Sequence, residues 1–316
     1  MFSNKKPNPS PLGVPLGDLM AMLAPTSIEA SLKGESLIAR HEQYAVRIDV
    51  VPPAMRESEN GPIRAVVRLT TDLPAPLMSM FRGREAPTTA AFNAFAALGA
   101  LYQDGATVRI GSRLTIYEAD DAWRTLHLPL LAFTTLCGSE AILGGMRRAM
   151  SEEAPRGGAS RWTEQNLEQV QGYLSRLCVC TTGDLGLTAE FGLAQGAHSA
   201  IAGDHKTALF QLRADQPHPE LGGGLFSLLQ MPHRVADEAR LQRLCLQLNQ
   251  MEMAPHDLPP HFGAWCPGGL GNNPAYVSFL PNALHSTPGI AVNLAFWAIN
   301  RAHWANVMLP SLGIRS

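Results

Sequence analysis

The chain holds 316 residues, of which 46% are hydrophobic and only 16% charged, against about 25% charged in ordinary soluble domains. That balance excludes disorder over most of the length and, at roughly 150 residues per domain, predicts about two domains. With 25 Lys and Arg against 27 Asp and Glu, no field exists to gather nucleic acid or an anionic membrane surface, so neither is expected as a partner.

The N-terminus carries Lys5 and Lys6 but follows them with Pro7, Pro9, Pro11 and Pro15 instead of an apolar signal core. The longest apolar stretch, over 289–299, is interrupted by Asn293 and falls short of the ~20 residues a bilayer requires. Five irregularly spaced cysteines, Cys137, Cys178, Cys180, Cys245 and Cys266, do not fit a disulfide framework. A soluble, cytoplasmic protein is the expectation.

In chain order the first half reads as a short helix over 16–23, alternating strands over 37–40, 44–50 and 63–71, an apolar stretch over 77–81 and a helix over 88–103. Two alternating runs, 107–110 and 114–118, precede a long closing helix. Residues 151–160, S-E-E-A-P-R-G-G-A-S, then break the periodicity. The second half repeats the order with a helix over 163–176, strands over 177–180, 185–193 and 208–214, and an apolar stretch over 225–229. A helix over 235–252, runs over 262–266 and 275–280, and a closing helix complete it. In each half the third strand runs into D-x-P-x-P, from Asp72 to Pro76 and from Asp215 to Pro219. An ungapped match then sets Ile116 over Val277, Leu131 over Val292, Leu136 over Trp297 and Leu143 over Trp304. Such self-similarity marks a duplication. The predicted fold is α+β: two duplicated α-β-β-β-α-β-β-α modules, each a twisted antiparallel sheet packed with helices. They span 1–152 and 160–316 with a linker over 153–159, and the two halves of the chain, divided at Pro155, each carry a net charge of −1.

No phosphate-loop, dinucleotide-binding, nucleophile-elbow or H-E-x-x-H signature occurs. The runs Gly222-Gly223-Gly224 and Gly268 to Asn273 read as turns, the second as a hairpin loop, because glycine and asparagine supply positive φ. Eight of ten histidines lie from His198 onward, and His256, Asp257, His261 and His285 are the candidates for metal or acid–base chemistry. Their spacing does not force them together. Cys178 and Cys180 form a C-x-C on a strand with no second pair at zinc spacing, and Asp120-Asp121 and Glu152-Glu153 are loop neighbours that face solvent. No catalytic residue, cofactor or metal is assigned.

The last helix is the informative feature. Between Pro255 and Ser316 the only Asp, Glu, Lys or Arg residues are Asp257, Arg301 and Arg315. Thr287 and Pro288 read as its N-cap and first helical residue. Trp297 and Trp304 share one face with Ile290, Leu294 and Met308, while Phe296, Ile299 and His303 form a second. Two apolar faces require two neighbours: its own sheet, and either the first half's helix, a second copy or a bound segment. Arg301 needs a carboxylate or carbonyl partner there. Trp265, Phe279, Trp297 and Trp304 are the candidate partner-binding residues, since aromatic anchors dominate interface energetics.

The element order, with L-C-L-Q-L-N from Leu244, F-G-A-W-C from Phe262, A-Y-V-S-F-L-P from Ala275 and R-A-H-W from Arg301, resembles the type III secretion chaperone-like fold, including its sensory-transduction-regulator branch. The resemblance implies a dimer of such modules fused into one polypeptide, without enzymatic activity, holding an extended client segment along its sheet and helix surface. This chain departs from the classical members in its two modules and its pI near 6.5, where they are shorter and clearly acidic. The expected function is a protein-binding chaperone or adaptor for a protein client or partner subunit. The alternatives are a small-molecule enzyme with a cleft between the halves, and a structural or regulatory subunit self-associating through the C-terminal helix.

Overall fold

The computed structural model describes residues 20–21, 23, 28–53, 57–58, 61–95, 98–118, 128–151, 157–193, 206–254, 257–268 and 271–314. The first module comprises strands β1 (Glu29–Lys33), β2 (Ser36–His41), β3 (Tyr44–Val51) and β4 (Ile63–Asp72), a single helical turn α1 (Ala75–Met78), helix α2 (Glu85–Asn93), strands β5 (Ala100–Asp104) and β6 (Thr107–Tyr117), and helix α3 (Leu128–Arg148). The second comprises helix α4 (Glu164–Leu174), strands β7 (Val179–Gly183), β8 (Gly186–Gly192), β9 (Thr207–Arg213) and β10 (Gly224–Gln230), helix α5 (Glu238–Glu252), strands β11 (Ala264–Pro267) and β12 (Pro274–Pro281), and helix α6 (Ile290–Ser311). Most of the helix expected over 16–23 and of the linker lies outside the described residues.

The period-2 patterns form strands because one face of each sheet must be buried: in β3, Tyr44, Val46 and Ile48 are buried while Ala45 and Arg47 face out. Tight turns hold the outer hairpins. Between β7 and β8, Asp184 and Leu185 both take positive φ, 47° and 55°, the backbone of a turn that matches strand twist.

Each module forms one antiparallel sheet, in the order β1-β2-β3-β4-β6-β5 and β7-β8-β9-β10-β12-β11. The α+β class and the two similar modules therefore stand, and the path of the chain is the same in both. The unit gains a strand, however. β1 carries no clear alternation, and the apolar stretch over 225–229 is strand β10, hydrogen-bonded between β9 and β12. The two D-x-P-x-P motifs are therefore not equivalent: the first ends the fourth strand of its module and the second follows the third. In the first half the helix expected over 88–103 stops at Asn93, and its tail is strand β5; the runs over 107–110 and 114–118 are the single strand β6. Strand β6 needs an edge partner, and the tertiary pairing overrides the local helical pattern.

Two asparagines give the internal register. Asn93, at the end of α2, donates to the Leu101 carbonyl at 2.9 Å and accepts from the Leu101 N–H at 2.8 Å. Asn249, on α5, makes the same two bonds with Trp265, each at 2.8 Å. Along the ladders, the row Ala100, Gly111, Thr70, Arg47 and Ile38 corresponds to Ala264, Val277, Leu228, Gln211 and Thr188. Gly111, not Ile116, is thus the counterpart of Val277, and the ungapped match set opposite faces of two strands against each other.

The modules meet through strands β5 and β11, the inner edges of the two sheets. Helices α2 and α5 pack against each other, and each reaches the other module's edge strand. Ala100 and Ala264, equivalent by register, are buried together at this meeting point. One apolar core runs through both modules. The part of the linker that is described, 157–159, lies against the second module: the Ala159 carbonyl accepts from Asn282 Nδ2 at 2.8 Å. A Cβ on Gly223 would fall 2.1 Å from that same carbonyl, so this glycine run serves close packing.

Candidate functional site at the module seam and the outer sheet edge

Where β6 extends past β5, the loop between α5 and β11 takes over as its neighbour. The Arg113 N–H donates to the His261 carbonyl at 3.1 Å, and the His261 N–H to the Arg113 carbonyl at 2.9 Å. This places a charged group from each module in one buried cluster. The Glu252 carboxylate accepts from Arg301 Nε at 2.6 Å and from Trp265 Nε1 at 3.1 Å. Arg113 donates to the Glu252 carbonyl at 2.5 Å, to Thr115 Oγ1 at 2.7 Å and to the Pro259 carbonyl at 3.2 Å. Arg301 also donates to the Pro260 carbonyl at 3.1 Å, and its guanidinium carbon lies 4.0 Å from the centroid of the Tyr276 ring. Pro259 and Pro260 have no N–H and a fixed φ, which holds their carbonyls in place as acceptors. The partner that the sequence requires for Arg301 is therefore both a carboxylate and a carbonyl.

Tyr276 Oη accepts from the Gly263 N–H at 2.7 Å and lies 3.0 Å from His261 Nδ1. Nδ1 also lies 3.6 Å from Glu252 Oε2, so both a hydroxyl and a carboxylate face that nitrogen. Burial lowers the His261 pKa to about 3, with Glu252 opposing and Arg301 and Arg113 reinforcing the shift. Burial pushes the Glu252 carboxyl up, but Arg301, His261 and Arg113 outweigh it and hold it below its ordinary value. Burial lowers Arg113 to about 10. Arg301 thus pairs with the Glu252 carboxylate and Arg113 with its main-chain carbonyl, and Glu252, His261 and Arg113 are each 0% exposed. A solute has no access to this cluster, and its chemistry is that of a lock between modules. A second contact reinforces it, with Arg148 of α3 at 2.7 Å from Glu220 and the ring of His218 bonded to the Phe95 carbonyl at 2.6 Å.

The four aromatic residues singled out from the sequence divide. Trp265 and Phe279 are core residues, 0% and 1% exposed, because β11 and β12 are covered on both faces; neither presents a surface to a partner. Trp297 and Trp304 are half-buried, stacked edge-on against Phe262 at 5.1 Å and tilted against Trp265 at 6.4 Å. The second neighbour of the last helix is α4 of its own module, not the first half's helix. That helix begins at Ile290 after Gly289, whose φ of 69° stops it from extending back to the expected cap at Thr287.

His261 sits in the seam, whereas His285 lies against Trp162 and within 3.2 Å of Asn166 near α4. The two do not converge; His256, Asp120-Asp121 and Glu152-Glu153 lie outside the described residues. Among the described residues no group of three His, Cys, Asp or Glu gathers to hold a metal. Burial raises the Cys180 thiol to about 11, with Cys178 adding to the shift, the opposite of what a reactive thiol requires. Residues 268–273 connect β11 to β12, as expected of a hairpin loop, closed by the Gly268 N–H on the Asn273 carbonyl at 2.8 Å.

A different surface stands out at the far edge of the second sheet. Of nine exposed large apolar side chains among the described residues, four lie at β7 and its flanks: Tyr173, Leu177, Val179 and Leu185. Val179 is 72% exposed. β7 is the outermost strand of its sheet, and Gln171 of α4 reaches its free edge, where its Nε2 donates to the Cys180 carbonyl at 3.1 Å. Sequence reasoning missed this patch because its residues read as the end of a helix and the start of a strand, with nothing to mark the strand as an edge. No helix of the described residues is long and apolar enough to cross a membrane. No family model matches the sequence, and no curated protein or solved structure matches the chain.

Proposed function

We propose that the protein is a non-enzymatic adaptor that binds an extended segment of another protein by adding it as a strand to β7. The observation that carries this reading is the contrast between the two outer edges. β1 is E-A-S-L-K, with a charge at each end, whereas β7 is V-C-T-T-G, with none, and it is flanked by exposed Tyr173, Leu177 and Leu185. Charges on an edge strand oppose pairing with another chain. An uncharged edge beside apolar side chains offers main-chain hydrogen bonds for affinity and alternate side-chain contacts for selection. The buried seam suits the same role, since the sheets meet through β5 and β11 and not through β1 or β7; the Cys180 carbonyl on that edge is held by Gln171, which an added strand would displace.

An array of immobilised peptides, probed with the full-length protein, tests this. Peptides with apolar residues at alternate positions are expected to retain the protein, scrambled peptides of the same composition are not, and Val179→Lys is expected to abolish retention. Equal retention of patterned and scrambled peptides, or an unaffected Val179→Lys variant, overturns it.

A further inference from the structure

An open groove of about 560 Å³ runs along the β1, β2 and β3 side of the first sheet and around to the end of α3, with Lys33, Arg40 and Arg47 on the sheet face turned away from that helix. Four cations line it, Lys33, Arg40, Arg47 and Arg147, against a single carboxylate, Asp72. That carboxylate is already engaged by Arg109 at 2.8 Å. Among the described residues no hydrogen bond or ion pair engages Lys33, Arg40 or Arg147, and Arg47 meets only Asp49 beside it, at 2.8 Å. Ile38, which pairs with Arg47, supplies apolar lining between Arg40 and Arg47.

The duplication provides an internal reference. The register that equates Arg47 with Gln211 and Ile38 with Thr188 also sets Arg40, two residues beyond Ile38, against Glu190, two residues beyond Thr188. The same positions of the same fold are thus cationic in one module and neutral or acidic in the other. Neither strand pairing nor core packing needs the arginines, since the second module forms the same sheet without them.

We infer that this groove binds an acidic, extended polypeptide segment with carboxylates at alternate positions. Arg47 pairs with Ile38, so Arg40 is its diagonal neighbour on the same face, about 7 Å away. Alternate side chains of an extended chain lie about 7 Å apart on one side, which lets successive carboxylates meet Arg40 and Arg47 in turn. A small phosphate ligand is disfavoured because the cations are spread over three strands and a helix instead of converging on one point. The groove and the β7 edge lie on different sheets, so this inference stands apart from strand addition.

Fluorescence anisotropy of a labelled dodecapeptide alternating Glu and Thr, titrated with the full-length protein, tests it. Saturable binding is expected, weakened about tenfold by Arg40→Glu with Arg47→Glu, because each reversal turns a weak exposed attraction into a repulsion. Arg82→Glu with Arg84→Glu, which reverses two exposed cations outside the groove, is expected to change nothing, as is Val179→Lys. Equal binding of the Gln-for-Glu peptide, equal weakening by the control reversals, displacement by inorganic phosphate, or absence of binding each overturns the proposal.

Discussion

At the seam, Asn93 holds Leu101 and Asn249 holds Trp265 by the same two-bond clamp, yet the two helices continue differently. α2 ends at Asn93, whereas α5 runs on to Glu252, and that extra length places a carboxylate between Arg301 and Trp265 and its carbonyl on Arg113. The clamp belongs to the duplicated unit; the ionic lock belongs to one copy and reaches into the other. The difference teaches that the asparagine clamp is common to both modules, whereas the ionic cluster has no counterpart on the α2 side. Glu252→Ala should therefore be strongly destabilising. Leaving the buried Arg301 guanidinium without its carboxylate costs about 3–5 kcal/mol, and urea denaturation should show that loss. A loss under 1 kcal/mol would mean that the cluster is solvated and the lock is misassigned.

The clamp can be tested for equivalence directly. Asn93→Ala and Asn249→Ala each strand one buried N–H and one buried carbonyl on an inner-edge strand, at about 1–3 kcal/mol per group, so each should lose about 2–6 kcal/mol. Similar losses support the register that pairs Leu101 with Trp265. A loss at one site only would show that the two clamps carry different loads.

The sequence made the modules legible but not their register, for reasons visible in particular residues. β3, β8 and β9 show clean alternation because one face is buried and the other open. β1 does not, since Glu29 to Lys33 is an exposed edge with little to bury. β10 was hidden in a different way, as G-L-F-S-L-L-Q is half-covered on its outer face and reads as a continuous apolar run. Omitting one strand from each half, at different places, made two unrelated D-x-P-x-P exits look equivalent. The requirement of Arg301 for a partner was legible from burial alone. That the partner is Glu252, supported across the seam by Arg113, depends on a contact 139 residues apart in the chain that no local pattern records.

Acid should act on the seam before it acts on the outer edges. His261, held neutral with a pKa of about 3, has an unfolded value near 6.5. Because the folded pKa is the lower one, the unfolded chain takes up the proton first. The stabilising effect is complete above pH ~6.5 and declines by about 1.4 kcal/mol per pH unit as pH falls toward 3. His233, buried and lowered to about 4, adds to the same trend without contacting the seam. A His261→Gln variant should accordingly lose about 2 kcal/mol less than the parent between pH 7 and pH 5. Denaturation curves at those two pH values measure it, and parallel losses in both proteins would place His261 in contact with water.

The smallest energetic effect is expected at the outer edge, where the consequence for association is the largest. Val179 is mostly exposed and contributes little to the core, so Val179→Lys should leave stability within about 0.5 kcal/mol. The same change puts on β7 the kind of charge that Glu29 and Lys33 place on β1, and a charged edge resists pairing with another chain. Light scattering over a concentration series should then show less self-association in the variant than in the parent, while Leu32→Lys on the already charged β1 should change it little. If both substitutions act alike, the two edges are equivalent despite their sequences, and what distinguishes the modules is confined to the seam and the cationic groove.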